Sequence, residues 1–210
     1  MDRIICLGIG YLCGLLQSGY LYGRTRHMDI RQYGSGNVGT TNSLRVMGKK
    51  AGAVVFLGDF LKAFVPVLLI RLLLRDHANV DLLAFYAGVG VTLGHNFPFY
   101  LKFRGGKGIA CMAGIMTAMD IRIALVCLVV FSVSVAVTRY VSLGSILISV
   151  VFFAGIVMLG RLGSYEVDAA HYPELCAVSA FLMCLAVWRH RSNIGRLLAG
   201  TENKLGAKKA

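Results

Sequence analysis

Residues 121–161 read IRIALVCLVVFSVSVAVTRYVSLGSILISVVFFAGIVMLGR. Two apolar runs, 121–138 and 143–160, flank one short polar break at 139–142. A helix that crosses the hydrocarbon of a bilayer needs about 20 mostly apolar residues, and its backbone must satisfy its own hydrogen bonds there. Each run therefore reads as a membrane-spanning helix, and the break as a turn at the membrane boundary.

Working outward, similar runs recur at 4–22, 51–70, 82–100, 106–119 and 173–188, which makes seven candidate spans. The run at 106–119 is short. Only Asp120 and Arg122 separate it from the next, which predicts a tight hairpin or, in a five-span alternative, a re-entrant pair. The expected fold class is an all-α integral membrane protein of about seven transmembrane helices. One domain spans 1–210, with a basic C-terminal tail at 198–210.

Composition agrees. Hydrophobic residues make up 57% of the 210 and charged residues 15%, where soluble domains carry about a quarter charged. Mean hydropathy is +0.68. These values exclude a disordered chain, a secreted disulfide scaffold and an ordinary water-soluble enzyme. The six cysteines lie in apolar segments without a C-x-x-C pair and read as small hydrophobes. The N-terminal run lacks a small-residue cleavage signature and is expected to stay as a span.

The net charge of +12 is distributed unevenly. With seven spans, segments 23–50, 101–107, 139–142 and 189–210 share one side and hold 16 Lys and Arg against Asp29 and Glu202. The other side holds Arg3, Arg71, Arg75, Arg122 and Arg161 against seven acids. The positive-inside rule then places the N-terminus outside and the C-terminus in the cytoplasm. Dropping the fourth and fifth spans as a pair leaves that sidedness unchanged.

On the basic side the glycines cluster. YGSGNVGTTNSLR (33–45) contains Gly34, Gly36 and Gly39, and FRGGKGIA (103–110) contains Gly105, Gly106 and Gly108. Exposed backbone N–H groups followed by a helix N-terminus form an anion site, and Lys107 adds a full positive charge. Neither loop has the Gly-Lys-Ser/Thr ending of a nucleotide P-loop. Paired acids for magnesium are missing as well, so no metal or cofactor is expected.

A third cluster follows the last span, WRHRSNIGRLLAGTENK (188–204). His190, Asn193 and Arg196 recur every three residues, on neighbouring positions of a helix surface. Asp59 and Lys62 stand three apart inside the second span, where ionisable groups are costly, and read as a structural ion pair. His95, in LGHNFPF before Pro98, reads as a ligand contact or a helix-end hydrogen-bonding group. His27, His77 and His171 read as solvated loop residues.

Taken together these stretches resemble the bacterial membrane glycerol-3-phosphate acyltransferases that use acyl phosphate as donor. Gly34-Ser35-Gly36-Asn37-Val38-Gly39-Thr40-Thr41-Asn42 through Arg45 resembles one family motif. Gly94-His95-Asn96-Phe97-Pro98 with Gly105-Gly106-Lys107-Gly108 resembles a second. His190-Arg191-Ser192-Asn193-Ile194 to Arg196, Gly200 and Glu202 resembles a third, and 139–145 a further segment. The likeness runs from about residue 4 to 205. Departures at Val38, Ala63, Cys111 and Ser192 touch loop conformation more than chemistry.

The resemblance implies acyl transfer from acyl phosphate to the sn-1 hydroxyl of glycerol 3-phosphate, giving lysophosphatidic acid and inorganic phosphate for phospholipid synthesis. It implies a multi-pass protein of the bacterial inner membrane with the site facing the cytoplasm. It also implies no direct use of CoA or acyl carrier protein as donor. The expected catalytic set is His190, Asn193, Ser35 and Lys107. The expected phosphate-binding set is Ser35, Asn37, Asn42, Arg45, His95, Gly105, Gly106, Lys107, Gly108, Ser142 and Arg196, with Glu202, Asp59 and Lys62 in support. Which loop holds which phosphate stays open, as does whether His190 or a substrate phosphate accepts the hydroxyl proton.

Other classes fit less well. A transporter places polar residues near the midplane, where only Asp59 and Lys62 stand here. A CoA-dependent acyltransferase normally shows His-x4-Asp, and no histidine here has Asp five positions on. A nucleic-acid binder would explain the charge but not the apolar runs. The expected partners are therefore the two substrates and the lipid bilayer, with no nucleic acid.

Overall fold

The computed structural model describes residues 1–206 and is helical throughout its ordered elements. The last part of the basic tail, 207–210, lies outside the described residues. In chain order the helices are α1 (Asp2–Gly14), α2 (Ser18–Arg24), α3 (Thr40–Met47), α4 (Lys49–Leu73), α5 (Val80–Asn96) and α6 (Ile109–Met119). They continue as α7 (Ile121–Thr138), α8 (Val141–Arg161), α9 (Tyr172–Arg189) and α10 (Arg191–Leu198).

All seven apolar runs are helical, but unequally so. Among the described residues five segments are long and apolar enough to cross a bilayer: Asp2–Arg24, Lys49–Leu73, Ile121–Thr138, Val141–Arg161 and Tyr172–Arg189. Helix α5 has 17 residues and α6 only 11. At 1.5 Å per residue α6 is about 16 Å long, roughly half the hydrocarbon thickness. The run at 106–119 is thus not a full-length helix, because its first three residues belong to the Gly-Lys-Gly loop. Its junction with α7 is the expected tight turn, a single residue, Asp120, whose carboxylate caps the Arg122 N–H.

Helices in hydrocarbon gain little by exchanging lipid contact for each other's apolar side chains, so close approach decides which ones pair. Helices α1 and α5 meet through Gly10 and Gly14 on one and Gly90 and Gly94 on the other, each a G-x-x-x-G pair. A Cβ on Gly10 or Gly14 would overlap the Ala87 or Val91 carbonyl, and one on Gly90 or Gly94 the Leu7 or Tyr11 carbonyl. The short α6 is enclosed, with Cys111, Met112, Ile115 and Met116 in the core. Its Gly114 lies level with the Phe60 carbonyl of α4. It therefore begins level with Phe56, about two turns inside the Lys49 end of α4, and the bundle is hollow there.

The opposite end is closed by ion pairs and hydrogen bonds to carboxylates. Arg3 binds Glu174 through both its Nε and Nη2, Arg71 binds Asp81 at 2.7 Å, and Asn79 donates to Asp168 at 2.8 Å. The seven acids assigned to one side by sequence thus gather among helix ends remote from the glycine loops.

Candidate functional site

The loop before α3 is organised by Asn42. Its Oδ1 accepts from the Ser35 N–H at 2.9 Å, and its Nδ2 donates to the Tyr33 and Asn37 carbonyls at 3.0 and 2.8 Å. Asn37 Oδ1 in turn accepts from the Gly39 N–H. Asn42, expected to bind phosphate, spends its polar atoms on folding this loop. Ser35 and Arg45 stay exposed and line the cavity that the loop covers. Thr40 Oγ1, not anticipated from sequence, is buried in the same wall without a partner among the described residues.

The second glycine loop divides in two. The Gly105 and Gly106 N–H groups donate back to the Asn96 and His95 carbonyls at the end of α5. Gly105 and Gly106 therefore stand behind the cavity, outside its lining, and their amides are unavailable to an anion. The lining is formed by Lys107, Gly108, Ile109 and Ala110. Gly108 holds φ +82 as the N-cap of α6, a conformation that costs glycine little. The first intrahelical amide bond of α6 runs from Met112 to Gly108, so the amides of 109–111 have no acceptor among the described residues.

Lys107 Nζ donates to Asn193 Oδ1, and Asn193 Nδ2 donates to Glu202 Oε1. Glu202 also accepts from Ser142 at 2.9 Å and from Arg196 at 2.7 Å. The tail thus folds back over α10 and α8 and fixes the Lys107 ammonium through Asn193. His190, the residue between α9 and α10, is 3% exposed and lines the cavity. Its Nδ1 sits 2.8 Å from the Ala186 carbonyl. A carbonyl only accepts, so Nδ1 carries the proton and Nε2 keeps its lone pair.

Burial sets the ionisation of these groups. It pushes Lys107 down to about 8, opposed by Glu202 and reinforced by Arg196, Arg189 and Arg45. Burial, reinforced by Lys107, pushes His190 down to about 4, so its imidazole is neutral at pH 7. For Glu202, burial acts upward but is outweighed by hydrogen bonds from Asn193, Ser142 and Arg196, which hold the carboxyl below its usual range.

Beneath the loop lies the Asp59–Lys62 pair. Lys62 Nζ donates to Asp59 Oδ1 at 2.8 Å, to His95 Nδ1 at 2.7 Å and to the Leu16 carbonyl at 2.6 Å. The Leu16 carbonyl is free because the first apolar run is interrupted between α1 and α2. There Gln17 donates to the Gly94 and His95 carbonyls. Lys62 is a donor only, which places the His95 proton on Nε2, the atom against Gly106.

These residues enclose a cavity of about 340 Å³. Its floor presents Lys107 and His190, and Arg45 and Arg196 stand on its rim. Phe56 of α4 with Phe131 and Val135 of α7 form an apolar wall toward the outer surface of the bundle. Of the residues expected at the site, Ser35, Asn37, Asn42, Arg45, Asp59, His95, Lys107, Gly108, Ser142, His190, Asn193, Arg196 and Glu202 converge on it. Arg189 was missed: its Nη2 donates to the Gly105 and Gly106 carbonyls at 3.1 and 2.6 Å. In sequence it is one basic juxtamembrane residue among several. Among the described residues no group of three or more His, Cys, Asp or Glu is placed to hold a metal ion.

The family described as glycerol-3-phosphate acyltransferase matches the chain over residues 4–200. A glycerol-3-phosphate acyltransferase of Thermoanaerobacter sp. (strain X514) is 43% identical over 99% of this chain and 98% of its own length. One from Clostridioides difficile (strain 630) is also 43% identical, over 98% and 97%. Among solved structures, the chain is similar to PlsY (YgiH), an integral membrane glycerol 3-phosphate acyltransferase, in its glycerol 3-phosphate form. That likeness has a TM-score of 0.85 and 32% identity over 98% of this chain and 96% of that one. The lysophosphatidic acid form of PlsY gives a TM-score of 0.82 at the same identity and coverage.

Proposed function

The chain belongs to the glycerol-3-phosphate acyltransferase family, and from that premise we propose that it moves an acyl group from acyl phosphate to the sn-1 hydroxyl of glycerol 3-phosphate. The products are lysophosphatidic acid and inorganic phosphate. One observation carries this reading: a single cavity joins Lys107 and the free α6 amides to an apolar wall of Phe56, Phe131 and Val135. A phosphate at one end of an acyl chain matches both halves.

The protein is read as a single membrane domain in a bacterial inner membrane, with all seven apolar runs crossing or entering the bilayer. The charge distribution supports an N-terminus outside and a cavity facing the cytoplasm. The donor enters from the bilayer through the Phe56–Phe131 wall, and glycerol 3-phosphate enters from the cytoplasm past Arg45 and Ser35.

Acyl phosphate is already an activated anhydride, so positioning and charge stabilisation carry the reaction. The glycerol oxygen attacks the acyl carbon, and the bond from that carbon to the phosphate oxygen breaks. The hydroxyl proton ends on the departing phosphate, directly or through His190 Nε2, whose lone pair is free. Lys107 and the 107–110 segment hold the charge that collects on the leaving oxygens. Asn193 and Glu202 hold Lys107 in place, and Arg45, Ser35 and Thr40 face the other phosphate.

The test is donor choice. Purified protein given labelled glycerol 3-phosphate makes lysophosphatidate with a long-chain acyl phosphate and none with acyl-CoA or acyl carrier protein. Product made only from acyl-CoA would reject the reading.

A further inference from the structure

Arg189 touches none of the residues expected to meet substrate except through the backbone of the glycine loop. Its Nη2 holds two consecutive carbonyls, Gly105 at 3.1 Å and Gly106 at 2.6 Å. Its guanidinium carbon stands 5.2 Å from the Phe97 ring centroid, within cation–π range. Arg189 Nε is buried without a partner among the described residues, a desolvation cost that the Nη2 bonds and the Phe97 contact offset.

In a trans peptide the carbonyl and the following N–H point in opposite directions. With the Gly105 carbonyl on Arg189, the Gly106 N–H is turned to the His95 carbonyl, 3.1 Å away. With the Gly106 carbonyl also on Arg189, the Lys107 N–H is turned away from the guanidinium. That amide and the Gly108 amide have no hydrogen-bond acceptor among the described residues. The two carbonyls would otherwise be buried partial negative charges beside an anion site.

We propose that Arg189 is a positioning residue that turns the Gly105 and Gly106 carbonyls away from the cavity, leaving the amides from Lys107 onward to bind a phosphoryl group. The proposal deepens the proposed function and rests on its assignment of phosphate to this loop. Arg189 directly precedes His190, so one stretch of chain sets both the loop and the imidazole. Both carbonyls are met by one terminal nitrogen, whose two N–H groups are fixed in a guanidinium plane standing by the Phe97 ring, whereas a lysine ammonium has no such plane to fix its direction.

The test compares full-length wild type with Arg189→Lys and Arg189→Met in liposomes, using inorganic phosphate as the probe. Three quantities are read: the thermal stabilisation that phosphate gives, its inhibition constant against acyl transfer, and KM and kcat for acyl phosphate. In Arg189→Lys, phosphate affinity and KM weaken together by about tenfold, the size expected for one charge-assisted hydrogen bond. Meanwhile kcat falls with them and the Tm without phosphate changes little. Arg189→Met weakens both further. Unchanged phosphate affinity in either variant would overturn the proposal, as would an Arg189→Lys protein that loses Tm alone or fails to fold. Phosphate stabilisation needs no turnover. If wild type binds phosphate but transfers no acyl group, the proposed function falls while this inference is still decided.

Discussion

Asn193 Nδ2 lies 2.7 Å from Glu202 Oε1, while the other end of the same amide receives the Lys107 ammonium. A carboxylate in the C-terminal tail thereby reaches the cation of a loop nearly one hundred residues earlier in the chain. Replacing Glu202 with Gln removes the ion pair with Arg196 and, with the amide oxygen kept on Asn193 and Ser142, sets an NH2 donor against the Arg196 Nε donor. We expect about 2 kcal/mol of lost stability, the scale of hydrogen bonds to a charged group, with activity falling alongside Tm. The Arg196 contribution is reduced because that side chain is 37% exposed. Activity lost at an unchanged Tm would contradict a supporting role.

His190 should show itself in stability as well as in rate. Its value is about 4 in the folded protein and about 6.5 when unfolded, so between those values the unfolded chain binds the additional proton. Stability from this group is complete above about pH 6.5 and falls as the pH drops toward 4. The Tm of wild type should fall more steeply over that window than the Tm of His190→Gln. In the same variant, turnover should drop by about a hundredfold or more if His190 Nε2 takes the proton. A nearly unchanged turnover would give that step to the substrate phosphate.

Lys107 offers the opposite pH limb. With its folded value near 8, the substrate-free protein loses this charge as the pH rises through 8, where an ordinary lysine would keep it. Inhibition by inorganic phosphate should weaken progressively from pH 7 to 9. In Lys107→Arg, whose guanidinium stays charged, the weakening should vanish. A pH-independent inhibition constant in wild type would contradict the burial described for Lys107.

The Asp59–Lys62 pair, each side chain 2% exposed, predicts an asymmetric result. Lys62→Met leaves Asp59 buried without its cation, a loss of about 3–5 kcal/mol, and frees His95 Nδ1. The double variant Asp59→Asn with Lys62→Met should recover much of the Tm, since no charge then remains unpaired. Equal Tm values for the single and double variants would show that the pair is not coupled.

Much of this was legible in sequence because charge, glycine and length are local properties. The apolar runs marked the helices, and Ser35, Lys107, His190 and Asn193 stood out against them. Distance along the chain hid the rest. Arg189 looks like a lipid-facing cation until the Gly105 and Gly106 carbonyls are seen beside it. The interruption at Gln17 is masked by the apolar residues before it, and its use becomes visible only once Lys62 meets the Leu16 carbonyl. Gly105 and Gly106 carry the composition of an anion nest, yet their amides are spent on His95 and Asn96. The run at 106–119 suggested a span because hydropathy does not register where a glycine loop ends and α6 begins.

The most direct test of direct transfer follows both products at once. Purified protein is mixed with a long-chain acyl phosphate, and inorganic phosphate and labelled lysophosphatidate are measured before and after glycerol 3-phosphate is added. Direct transfer predicts no phosphate before the acceptor arrives, then phosphate and lysophosphatidate in equal amounts. A burst of phosphate without acceptor, leaving an acylated protein, would contradict it, and so would failure to form lysophosphatidate at all.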